Sequence, residues 1–128
     1  MTAANAPATL AMTTIDCADP AQEARFWAAA LGWTLAHADD DYGLVVDGSR
    51  RLGFGRVEGW TAPQWPDPAG GKQFHLDLAV EDLEAAAAAL TELGATSVSP
   101  QPGETWIVMR DPAGHPFCLT QAANWAGM

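Results

Sequence analysis

His75 and Asp77 stand two residues apart, and Cys118 sits in the run Pro116-Phe117-Cys118-Leu119-Thr120. An imidazole, a carboxylate and a thiol are the side chains that take up metals, move protons or attack electrophiles. If both runs are strands, their side chains alternate between two faces. His75, Asp77 and Ala79 then share one face, and Phe74, Leu76, Leu78 and Val80 share the other. Cys118 alternates with Phe117 and Leu119 and falls on the side of Thr120. On such a face Asp77 would accept a hydrogen bond from a ligand or hold its positive charge. The competing reading is plain: His75 and Asp77 satisfy each other or nearby backbone. A single cysteine is most often a small buried hydrophobe. A reactive thiolate needs a neighbouring base or cation, a role open to His75.

Six tryptophans are many for 128 residues. Trp106 alternates with Val108 and Arg110, which places all three on one face of a strand. Trp60 and Trp65 lie in the segment 58–71, with three prolines and three glycines, and are placed to close over a cavity. Trp27, beside Phe26, reads as core or subunit interface. Aromatic walls beside an acidic residue suit a flat or cationic organic ligand. Ordinary packing competes for every tryptophan, more strongly for Trp27 and Trp33 than for Trp60.

Other chemistry lacks its residues. There is no phosphate-binding glycine loop and no G-x-S-x-G elbow, and Gly53-Phe54-Gly55 is too short for a dinucleotide fingerprint. Asp39, Asp40 and Asp41 lack the later Gly and Glu of a calcium loop. Cys17 and Cys118 match no zinc spacing, and two cysteines are too few for a disulfide framework.

The elements that position these residues form an internal repeat. Residues 12–32 and 75–94 each read as a strand, an acidic helix start, an alanine-rich helix and a Leu-Gly stop. Aligning Asp19 with Asp82 gives an offset of 63 (82 − 19), which brings Ile15 onto Leu78 and Cys17 onto Val80. Asp19 and Asp82 are expected N-caps, with Pro20 at the first helical position and Gln22 able to reach back. Gly32 and Gly94 suit left-handed C-caps. Helices are expected over 21–31 and 83–93. Strands follow at 33–37, 42–46 and 51–57, and again at 96–99, 105–110 and 116–121, separated by turn residues. The reading is an α+β fold of two βαβββ modules, about 9–57 and 72–121, joined by loop 58–71 within one domain over 1–128. Three strands after each helix favour this over the ferredoxin-like βαββαβ order.

A net charge of −10 with six Lys and Arg leaves little to track a phosphate backbone, so nucleic acid is not an expected partner. The longest apolar run, 85–90, is far too short for a bilayer. The start of the chain lacks the basic and apolar regions of a signal peptide, and a reducing cytoplasm is expected. Residues 1–7 and those after Gln121 read as tails.

The run Ile15-Asp16-Cys17-Ala18-Asp19-Pro20, leading to Phe26-Trp27 and Leu31-Gly32, resembles the first module of glyoxalase-like proteins. Residues 75–82 resemble the second module's opening. Met109-Arg110-Asp111-Pro112-Ala113-Gly114-His115-Pro116-Phe117 resembles the family's DP-x-G-N close. The resemblance is to the vicinal oxygen chelate superfamily of glyoxalases, bleomycin-resistance proteins and extradiol dioxygenases. It implies two pseudo-twofold-related modules whose sheets curl around a cavity, helices outside.

In metal-dependent members, the resemblance implies a ligand seven residues before each capping Asp and another on each module's last strand. His75 matches the first of these in module two, but Met12 stands at the equivalent place in module one. The last-strand Glu falls on Cys118, and its first-module equivalent near Phe54 or Gly55. Most of the His/Glu tetrad is therefore absent. His75 and Cys118 remain as donors, short of a catalytic set unless His37, His115 or Asp77 contributes. No cofactor and no tight divalent metal are expected, since thioether and thiol suit soft metals better than manganese or magnesium. The expected function is binding of a small organic ligand by Met12, Trp60, Trp65, His75, Asp77, Trp106, Arg110 and Cys118, in a homodimer. The alternative is a metal-dependent or metal-free lyase, isomerase or dioxygenase.

Overall fold

The structure, a computed structural model, describes residues 6–65 and 74–127. The first half runs β1 (Thr13–Cys17), α1 (Pro20–Leu31), β2 (Thr34–Ala38), β3 (Tyr42–Asp47) and β4 (Arg50–Arg56). The second runs β5 (Leu76–Val80), α2 (Leu83–Leu93), β6 (Thr96–Ser97), β7 (Ile107–Arg110) and β8 (Pro116–Gln121). The α+β reading of two βαβββ units holds.

Both helices begin where local chemistry dictates. The Asp19 carboxylate accepts from the Gln22 backbone N–H at 3.1 Å, and Asp82 accepts from Ala85 at 3.0 Å. These aspartates satisfy amides that have no partner inside the helix. Gly32 ends α1 at φ 70°, in the left-handed region that favours glycine.

Each half forms a four-stranded mixed sheet of the same order, β1-β4-β3-β2 and β5-β8-β7-β6. In both, the strand before the helix pairs in parallel with the last strand of its half. Helix α1 lies so close on β3 that a Cβ at Gly43 would stand 2.7 Å from both the Ala24 Cβ and the Pro20 carbonyl oxygen. Glycine is what permits that approach.

One apolar core spans the two halves. Phe26 and Trp27 of α1 pack edge-on at 5.0 Å, and Trp27 meets Phe117 of β8 at 5.1 Å. Cys17, Val45, Leu52 and Phe54 fill the first half of the core, and Leu90, Met109 and Leu119 the second. Leu76, Leu78 and Val80 pack against it, as alternation requires. Phe74 departs from that expectation: β5 begins only at Leu76, and Phe74 lies 92% exposed in the bend before it.

Strands β6 and β7 are shorter than the sequence suggests, for a side-chain reason. The Gln101 amide donates to the Val98 and Val108 carbonyls at 2.9 Å, and its oxygen accepts from the Val108 N–H at 2.8 Å. It occupies the place of a peptide group between the two strands, so β6 ends at Ser97. The segment after Gln121 also differs from the expected tail. Its residues Ala122–Trp125 form a 3-10 turn, and Trp125 donates to the Thr120 hydroxyl at 2.7 Å. No described helix is long and apolar enough to cross a membrane.

Candidate functional site

The parallel register of β5 and β8 sets Asp77 directly beside Cys118 and Ala79 beside Thr120. Phe117 and Leu119 face the helices in the core, so alternation puts Cys118 on the opposite, helix-free face of the sheet. His75 lies two residues before Asp77, and its Nε2 is 3.2 Å from the Asp77 carboxylate. Donor atoms of His75, Asp77 and Cys118 all lie within 4.8 Å of one another. The His75 and Asp77 side chains keep 27% and 39% of their exposure, while Cys118 is buried. The thiol therefore forms a floor, and the imidazole and carboxylate form a wetter rim.

Aromatic rings surround this cluster unequally. Trp65 lies nearly parallel to the His75 ring, at 6.5 Å and 16°. Trp106 precedes β7, and its ring rests where a Cβ on Gly103 would stand 2.2 Å away. It lies just outside β7, two residues before Val108, which pairs with Cys118. Trp60 lies elsewhere: its Nε1 donates to the Ala113 carbonyl at 2.9 Å, and its ring meets His115 at 4.9 Å. The loop expected to close over one cavity thus divides, with Trp60 on the β7–β8 turn and Trp65 beside His75. Its continuation over 66–71 lies outside the described residues.

Arg110 holds that loop. Its guanidinium donates to the carbonyls of Pro63, Gly114 and Trp65. Three carbonyls on one guanidinium fix the backbone that carries Trp65, so Arg110 bears on the site through the loop. Met12 lies against the first sheet, with its thioether over Gly53.

Of the further donors considered, Asp77 is the one that joins His75 and Cys118. His37 pairs with Asp39 at 2.6 Å and stacks on Tyr42. Backbone amides of Tyr42 and Asp41, together with His37, hold the Asp39 carboxyl down at about 2. His115 Nε2 donates to the Asp16 carbonyl at 2.6 Å. Cys17 is no nucleophile, because burial and then the nearby Glu23 and Asp111 push its thiol up to about 12.

Two features escaped the sequence reading. Trp125 bonds to Thr120, at the far end of the strand that carries Cys118. Glu23 and Asp111 form a buried carboxyl pair between α1 and the β7–β8 turn. Asp111 accepts from Trp27 Nε1 at 3.1 Å and from the His115 and Ala113 amides, while Glu23 accepts from Ala113. A helical signal for Glu23 was present: it precedes Phe26 and Trp27 by three and four residues and so shares their buried face.

A groove of about 570 Å³ lies between α1, α2 and the open edge of β5. Its walls are mainly apolar, including Leu31, Trp33, Leu78 and Leu90, and Asp77 reaches its margin.

Paired βαβββ sheets of matching order, with a polar cluster on the last and first strands of one half, define the vicinal oxygen chelate fold. The family model for a glyoxalase-like domain matches residues 12–120, and the chain belongs to that family. Among solved structures, a fosfomycin resistance protein from Mesorhizobium loti is similar at 17% identity and a TM-score of 0.64, covering 88% of this chain and 91% of that one. A glyoxalase family protein from Enterococcus faecalis is similar at 23% identity and 0.60, covering 87% and 95%. The bleomycin-binding protein of Streptomyces verticillus, complexed with copper(II)-bleomycin, is similar at 20% identity and 0.52, covering 89% and 96%. At these identities the likeness is one of fold. No curated protein matches the sequence.

Proposed function

We propose that this protein binds a small organic molecule on the helix-free face of its second sheet. The observation that carries this reading is the convergence of His75, Asp77 and Cys118 beside the ring of Trp65, with Trp106 two residues before Val108, the strand neighbour of Cys118. Apolar walls with a few orienting polar groups are the usual build of a small-molecule site. The bleomycin-binding protein, of the same fold, holds its ligand as copper(II)-bleomycin, which supports binding as a use of this scaffold. Asp77, which keeps 39% of its exposure at the rim, selects for positive charge by an ion pair that solvent screens only in part. A compound screen read by tryptophan fluorescence tests this. Asp77→Ala is expected to weaken cationic hits by about tenfold, or about 1.4 kcal/mol, and neutral hits by less. Hits that bind Asp77→Ala and Trp106→Ala as tightly as the parent place the site elsewhere.

A second reading, an enzyme of lyase, isomerase or dioxygenase type, draws on the same contacts. A histidine held by a carboxylate next to a thiol is also an acid–base arrangement. Chemical conversion of a bound hit, abolished in His75→Ala, would select it.

The assembly we propose is a homodimer. Tyr42 and Met12, on the helix-free side of the first sheet, keep 50% and 43% of their exposure, a face that a second copy would cover. Light scattering giving a monomer mass through the micromolar range removes this part of the proposal.

A further inference from the structure

The four-donor hard-metal site that the fold family implies does not fit this chain. In the first half, β1 and β4 bring Thr14 beside Gly53 and Asp16 beside Gly55, with the Met12 thioether above Gly53. At the two places where the family would put ligands stand the Met12 thioether and Phe54 or Gly55, and none of these side chains is the oxygen donor that manganese or magnesium requires. In the second half the Glu position holds a thiol.

We infer that the second half alone carries a metal site of different chemistry, with His75, Asp77 and Cys118 as three ligands of zinc. Asp77 has no place in the four-donor set; it joins because β5–β8 register sets it against Cys118. One nitrogen, one oxygen and one sulfur are the donors zinc accepts together. Around a zinc ion, bonds of about 2.0–2.3 Å put tetrahedral ligands roughly 3.3–3.8 Å apart. The His75–Asp77 contact is already 3.2 Å, and all three donors lie within 4.8 Å. Drawing in by about an ångström, the reach of small side-chain rotations, completes the geometry. Among the described residues, this is the one group of three such donors. On binding, the Cys118 thiol gives its proton to solvent and the sulfur electron pair to the metal, so charge and atoms balance. The rim formed by His75 and Asp77 leaves a fourth position facing solvent.

This site rests on the binding function proposed above and changes the part Asp77 plays in it: in metal-free protein the carboxylate faces a ligand cation, and with zinc bound it is taken up by the metal, so the ligand class becomes small organic molecules that carry a metal donor, such as a thiolate or hydroxamate. The tryptophan rings would take the organic body, and the open position would take the donor.

The test is titration of chelator-stripped protein with zinc and with cobalt(II). About one equivalent of zinc is expected to bind. Cobalt should produce a near-ultraviolet thiolate-to-metal absorption band that Cys118→Ser abolishes and Cys17→Ala preserves. His75→Ala and Asp77→Asn should weaken zinc by more than about tenfold, the loss that even outer-shell changes cause. Circular dichroism identifies any variant that fails to fold, and Asp77→Asn, equal in size to the parent, then decides. Uptake well below one equivalent, or a cobalt band that survives Cys118→Ser, overturns the site. The compound screen, run on stripped and zinc-loaded protein, separates the two proposals. Hits that bind both forms alike, with no zinc taken up, sink the metal site and leave the binding function. Zinc uptake with no hit sinks the binding function and leaves the metal site.

Discussion

The two halves share a strand order and differ in what that order presents. On the helix-free face of the first, Thr14 and Asp16 lie beside Gly53 and Gly55; in the second, Asp77 and Ala79 lie beside Cys118 and Thr120. The helix-facing sides are alike in kind: Ile15, Cys17, Leu52 and Phe54 in one, Leu78, Val80, Phe117 and Leu119 in the other. Burial against the helices fixes the fold, and the opposite face is free to vary. The halves also differ along their helices. Trp27 is fully buried and reaches Phe117 and Asp111 of the other half, whereas the residue 63 places on, Leu90 (90 − 27), is aliphatic and makes no such hydrogen bond.

The largest effect should expose that asymmetry. Trp27→Ala removes a buried indole and leaves Asp111 without its donor, and should cost about 3–5 kcal/mol in denaturant unfolding. Leu90→Ala, at the corresponding place, should fall at the lower end of the roughly 2–5 kcal/mol seen for such truncations. Equal losses would mean that the seam is no more than the sum of two similar cores.

Next comes the buried carboxyl that α1 carries and α2 lacks. Burial, and then the neighbouring Asp111, pushes the Glu23 carboxyl up to about 9. Its folded value therefore lies above its unfolded one. Between about pH 4.5 and 9 the folded chain keeps a proton that the unfolded chain releases, so this group makes stability fall as pH rises. Glu23→Gln keeps a donor in place of the carboxylic proton and should flatten that fall. Midpoints of urea unfolding across this range would show it. An unchanged slope would remove Glu23 as its source.

Smaller still is the difference between two glycines of the first sheet. Gly43→Ala drives a Cβ into Ala24 and the Pro20 carbonyl, and should cost about 1–3 kcal/mol. At Gly55 the nearest atom to a new Cβ is Thr14 Cγ2 at 3.9 Å, so Gly55→Ala should change stability by less than about 0.5 kcal/mol. A costly Gly55→Ala would show that the helix-free face is as constrained as the packed one.

What could be read from the residues was what depends on near neighbours. Asp19, Asp82 and the Leu-Gly stops cap helices through bonds a few residues long, and both helices stand where those signals place them. Period-two alternation put His75 and Asp77 on one face and Leu76, Leu78 and Val80 on the other, because a strand leaves no other choice. The missed features depend on contacts between distant segments. Trp60 and Trp65 looked equivalent in sequence, and only the carbonyls that Trp60 and Arg110 engage divide them. Gln101 looked like a turn residue, and Trp125 like part of a tail. Asp111 looked like part of a turn motif, although its partner Trp27 lies 84 residues away.

The Gln101 amide also bears on how this protein behaves at high concentration. Val108 turns its N–H and C=O toward the β6 side of its sheet, where β6 itself has ended; the Gln101 side chain alone answers the N–H and shares the C=O with the Val98 N–H at 3.3 Å. An unanswered N–H there would be a foothold for a strand from another molecule, the route by which sheet proteins fibrillate. One glutamine thus acts as a stopper against self-association. The substitution Gln101→Leu, which leaves the Val108 N–H unanswered, should make the chain clump before it unfolds.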